Sequence, residues 1–92
     1  MTKIFFKFFS VNDGVCQVQR DIIKELKSIF GMMIDFQEID IRNNKEMKEK
    51  YKITSTPTII ISCREEEKER FVGLTQELFL KKAIQKISKE CR

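Results

Sequence analysis

The chain has 92 residues, 41% of them hydrophobic and eight of them phenylalanine, with 18 basic and 14 acidic residues giving a formal net charge of +4. That length builds one hydrophobic core and hardly two, so a single domain over residues 1–92 is expected. The charges of both signs are interleaved, which argues for solubility rather than a polyanion partner, and no apolar stretch nears the roughly 20 residues that cross a bilayer.

The segment Ile4 to Phe9 is interrupted by Lys7 and is too short for a signal peptide. Cysteines stand at 16, 63 and 91, and there is no histidine. An odd number at wide spacing reads as neither a disulfide framework nor a zinc site, so a reducing, cytoplasmic setting is expected, with no metal and no cofactor. The absence of histidine also removes the usual triad base.

Taken in order, Lys3 to Phe9 is a strand rich in Ile and Phe, broken by Ser10, Asn12, Asp13 and Gly14. Val15, Val18, Ile22, Leu26 and Ile29 recur at spacings of three and four and predict an amphipathic helix stopped at Gly31. Met33 to Ile41 is the next strand. Asn43 or Asn44 caps a short helix carrying Met47 and Tyr51 one turn apart.

Ile53 to Ser62 then holds the only proline, Pro57, directly before a β-branched run. Consecutive apolar residues from Thr58 to Ile61 predict a strand buried on both faces. Proline has no N–H to give to a ladder, so Pro57 belongs at the entrance of that strand, with Thr56 held extended before it. Arg64 to Glu69 reads as a charged, solvated turn, and Arg70 to Val72 as an edge strand ended by Gly73. Thr75 is placed to cap a last helix whose buried stripe is Leu80, Ala83, Ile84 and Ile87. Cys91 lies one turn beyond Ile87 on that stripe, where a cysteine packs as a small hydrophobe. The phenylalanines of the first strand are needed as core, which leaves little for base stacking and argues against nucleic acid.

Asp13-Gly-Val-Cys16, Ser55-Thr-Pro-Thr58 and Arg70-Phe-Val-Gly73, in this order, resemble the thioredoxin-like proteins, in particular the short glutaredoxin-sized members without the extra N-terminal strand and helix. The resemblance covers nearly the whole chain. It implies an α/β fold with a four-stranded mixed sheet, β-α-β-α-β-β-α, and helices on both faces. It also implies a cis peptide bond before Pro57, in a loop facing the redox turn.

The resemblance puts Asp13 where the family carries its nucleophilic cysteine and Cys16 at the resolving position. The nucleophile needs a helix N-terminus that favours thiolate, and the second sulfur needs to lie one turn on. Asp13 suits a helix cap instead, and its charge opposes a thiolate at Cys16. Lys7 stands where full thioredoxins carry a buried acid. Cys63, six residues along the strand from Pro57, falls roughly 20 Å from Cys16, too far to bridge. All three thiols are therefore expected to remain unlinked within a monomer.

The resulting expectation is a binding module with little or no dithiol exchange. An extended protein or peptide segment would be held by Asn12, Asp13, Gly14, Val15, Ser55, Thr56, Pro57, Thr58 and Gly73. The alternative is a thiol-redox protein forming mixed disulfides with glutathione through Cys16. Phe6-Lys-Phe-Phe9 and Ser55-Thr-Pro-Thr58 are also similar to short motifs of the KaiB clock proteins, another interaction module on this fold. No membrane or nucleic-acid partner is expected.

Overall fold

The computed structural model describes residues 3–91. The elements are β1 (Ile4–Ser10), α1 (Gly14–Phe30), β2 (Ile34–Asp40), α2 (Lys45–Lys50), β3 (Thr58–Cys63), β4 (Glu66–Val72) and α3 (Glu77–Glu90). The sheet order is β2-β1-β3-β4, with β1 and β2 parallel and the other two pairs antiparallel. This is the mixed four-stranded arrangement expected from the sequence.

Every residue of β3 is buried because the strand is interior and both its faces are covered. Ile59 and Ile61 join Phe6, Phe8, Leu26, Leu80 and Ile84 in the core beneath α1 and α3. Ile60 faces the other way, with Phe9, Ile39 and Ile53, where Met47 and Tyr51 of the α2 region close a smaller cluster. On α3 the buried residues are Leu80, Ala83, Ile84 and Ile87, the stripe read from the sequence.

Four expectations are corrected, three of them in the secondary-structure elements. On α1 the buried residues are Cys16, Gln19, Ile23, Leu26 and Phe30, whereas Val15, Val18 and Ile29 are about half exposed. The buried face is thus displaced by one residue, about 100° around the helix. It brings Ile23 and the larger Phe30 inward, with Ile22 still packed against the core and Leu26 common to both faces. Second, the charged run is strand rather than turn: β4 begins at Glu66, and Glu66, Glu67 and Glu69 pair with Cys63, Ser62 and Ile61, around an irregularity at Ile61/Ser62. An edge strand exposed along one side accepts charge readily, and charge there blunts edge-to-edge association. Third, Gln76 rather than Thr75 is the N-cap of α3.

The largest correction concerns the thiols. Cys63, at the end of β3, and Cys91, the C-cap of α3, form a disulfide with Cα atoms 5.7 Å apart. The packing of α3 back along β3 brings its C-terminal end over the end of that strand. With a bridge present, the cysteine argument for a reducing compartment loses its premise. Among the described residues no helix is long and apolar enough to cross a membrane.

Candidate functional site

Phe9, Thr58 and Val72 lie side by side across β1, β3 and β4, so the segments that precede or follow them gather at one end of the sheet. These are the turn before α1, the Pro57 loop and the loop leading to α3. Specific bonds tie them. The Pro57 carbonyl accepts from the Gly73 N–H at 2.8 Å, and the Ser55 carbonyl accepts from the Thr58 hydroxyl at 2.7 Å. Gln19 is fully buried and bonds both ways to the Thr75 backbone, donating to its carbonyl at 3.0 Å and accepting from its N–H at 2.8 Å. The Thr56–Pro57 bond is cis, and Gly73 adopts φ +91°, a conformation that suits glycine.

Asp13 is the N-cap of α1. Its Oδ1 accepts from the Cys16 N–H at 2.8 Å, and its carboxyl is held below the ordinary carboxylate value mainly by that bond and by the Cys16 side chain. A carboxylate here satisfies an otherwise unpaired N–H and lies at the positive end of the helix.

The Cys16 side chain has no exposed surface, and its thiol is raised above the usual value. Burial is the main cause; Asp13 pushes in the same direction, while the Val11 backbone and the Thr56 side chain pull the other way. The nearby cation gives little help. Arg20 is engaged by Glu38, with guanidinium-to-carboxylate distances of 2.7 to 3.1 Å, and Ser10 also donates to Glu38 at 3.0 Å. Lys7 lies on the sheet face away from Cys16, its ammonium 5.0 Å from the Phe5 ring centre and 5.5 Å from that of Tyr51.

The sequence-predicted residues therefore converge, but with different surroundings. Asp13, Cys16 and Thr56 meet around one sulfur, and Pro57 and Gly73 are joined by their backbones. Asn12 and Ser55 are exposed in the two loops and Gly14 and Val15 are exposed in the first turn of α1, while Pro57 and Thr58 are buried at the entrance of β3. Exposed Val15, Val18, Val72 and Leu74 give the site an apolar border. Gln19 and Thr75 went unrecognised as partners. The one available signal was that Gln19 falls three residues after Cys16 and four before Ile23, in phase with the buried face.

A groove of about 330 Å³ lies instead beside β2, among Phe8, Arg20, Ile23, Lys24 and Phe36, and includes none of the loop residues above. Among the described residues no group of three or more Cys, Asp or Glu is placed to hold a metal ion.

The family model Thioredoxin matches residues 2–86. No curated protein matches the sequence significantly. Solved structures share the fold. A thioredoxin-2 described as a component of malaria parasite protein secretion machinery is 21% identical, with TM-score 0.87 over 91% of this chain and 82% of that one. A mutant thioredoxin from Halobacterium salinarum is 23% identical, with TM-score 0.84 over 92% and 74%. Mitochondrial thioredoxin 3 from Saccharomyces cerevisiae, in its oxidised form, is 15% identical, with TM-score 0.83 over 94% and 80%.

Proposed function

The chain belongs to the thioredoxin family, and we propose that it binds an extended segment of a protein or peptide partner between the Asp13 turn and the Pro57 loop, with little or no dithiol exchange there. The observation that carries this reading is the state of Cys16: fully buried, its thiol raised, and its backbone N–H occupied by the Asp13 carboxylate. Thiolate is the reacting form of cysteine, so an enclosed sulfur whose ionisation is disfavoured exchanges slowly. Asp13 supplies no second sulfur. The same burial argues against a mixed disulfide between Cys16 and glutathione.

The loops suit binding better than electron transfer. Val15, Val72 and Leu74 offer exposed apolar surface, and Ser55 and Thr56, exposed and partly exposed, stand in the bend just ahead of β3. A partner strand passing Ser55 and Thr56 would use their backbone groups for affinity and the apolar border for selectivity, since the Pro57 carbonyl is taken by Gly73 and Thr58 is paired on both sides.

The test combines two measurements on the intact protein. In a dithiothreitol-coupled insulin assay, the parent should reduce insulin no faster than Cys16→Ser. Titration of isotopically labelled protein with alkylated insulin B chain, as a model extended polypeptide, should shift the amides of Asn12 to Val15, Ser55, Thr56, Thr58 and Gly73. Shifts confined to the outer face of α3, or catalysis that depends on Cys16, would overturn the reading.

A further inference from the structure

We propose that the Cys63–Cys91 bridge is itself a thiol-exchange site, opened by a low-molecular-weight thiol such as glutathione, and that the attack is directed to Cys91. The proposal goes beyond the loop-binding reading and does not rest on it. In β3, Cys63 pairs with Ile4 and Thr58 pairs with Phe9, so the bridge lies at the opposite end of the sheet from the Asp13 turn.

The two sulfurs have different surroundings. Cys63 is 8% exposed, within a strand flanked by β1 and β4, whereas Cys91 is half-buried at the end of α3. An incoming thiolate therefore has better access to Cys91. Charge favours the same direction. The Arg64 guanidinium donates towards Cys63 Sγ with Nη1 at 4.0 Å, so a thiolate released at Cys63 has a cation beside it. Glu66 faces Cys63 in the β3–β4 register, but its carboxylate is paired with Lys68 at 3.2 Å. A thiolate released at Cys91 would instead lie at the C-terminal end of α3, where the helix dipole opposes negative charge, next to Glu90. A thiolate with a cation beside it is the better leaving group, which gives that role to Cys63.

A glutathione thiolate attacks Cys91 Sγ, an S–S bond to glutathione forms, and the Cys63–Cys91 bond breaks with its electron pair going to Cys63. A second glutathione thiolate attacks the glutathione sulfur of that mixed disulfide. Oxidised glutathione departs and Cys91 leaves as thiolate. Two glutathione thiols supply two electrons, and the protons they lose on ionising are replaced at Cys63 and Cys91 from solvent. The product is a dithiol in which the end of α3 is no longer tied to β3.

The experiment treats the folded, oxidised protein with reduced glutathione near neutral pH, quenches samples with acid, alkylates free thiols and maps each cysteine by mass spectrometry. The early product should carry glutathione on Cys91 and a free thiol on Cys63, with Cys16 free of glutathione. Arg64→Gln, which removes the cation 4.0 Å from the leaving sulfur, should slow the first step severalfold. Arg64→Lys should restore most of the rate. Glutathione found first on Cys63, a bridge that opens only when the protein is unfolded, or an Arg64→Gln rate equal to that of the parent would each overturn the proposal.

Discussion

The two ends of the sheet treat sulfur in opposite ways. At one end Cys16 occupies a turn whose elements are present, including the helix N-terminus, the Pro57 loop and a neighbouring side chain at position 13. Yet the sulfur is buried, and burial together with a carboxylate raises its pKa and disfavours the thiolate. At the other end, with no motif in the sequence to mark it, Cys63 and Cys91 are bonded beside an arginine. Thiol chemistry follows the local charge and access around a sulfur more closely than the position of that sulfur in a family motif.

Removing the bridge should have the largest effect. A crosslink over a sequence separation of 28 restricts the unfolded chain by about 3.5 kcal/mol in the chain-entropy description. For a domain of this size that corresponds to roughly 15 to 25 °C in Tm. Cys63→Ser with Cys91→Ser, or the parent under dithiothreitol, should show this drop in thermal unfolding followed by circular dichroism. A shift of only a few degrees would mean that the end of α3 is held by packing alone.

The comparison sharpens if the quiet end can be made reactive. Asp13→Cys places a thiol at the N-cap, where the Asp13 side chain already reaches Cys16, and removes the charge that opposes a thiolate there. Insulin reduction by this variant should exceed that of Asp13→Ser by at least about tenfold, because a helix N-terminus lowers a cysteine pKa by about one unit or more and the serine control has no second sulfur. A folded variant that neither links residue 13 to Cys16 on oxidation nor outpaces the serine control would show that this end is not shaped for exchange.

The smallest effect is in the pH dependence. The folded-state pKa of Asp13 is lowered, so its contribution to stability is present above the unfolded carboxyl value near 4 and is lost as pH falls through the lower folded value. For Cys16 the folded value is raised, so its contribution is full below the unfolded thiol value and falls away as pH rises through the folded one. Denaturant unfolding across pH should therefore show Asp13→Asn with a flatter acid limb than the parent. Iodoacetamide at pH 8 should modify Cys16 faster in that variant, because one cause of the raised pKa has been removed. Equal acid limbs would show that the cap is not coupled to folding.

Some of this was legible in the chain itself. The run Ile59 to Ile61 after Pro57 could satisfy its apolar surface only in an interior strand, and Leu80, Ala83, Ile84 and Ile87 offered the last helix a single face to bury. Elements whose apolar residues admit one solution are determined locally. In α1 two overlapping stripes satisfied the same periodicity. The choice fell to the tertiary partners, to Phe30 and Ile23 entering the core and Gln19 meeting the Thr75 backbone 56 residues away. The charged part of β4, from Glu66 to Glu69, had no apolar pattern to announce it and was made a strand by the ladder of β3, whereas Arg70 to Val72 was legible as an edge strand. Likewise the nearness of Cys63 and Cys91 appears in neither segment alone. It arises because α3 returns along β3 and ends over the residue where that strand stops, a distance fixed by helix-to-sheet packing rather than by sequence spacing.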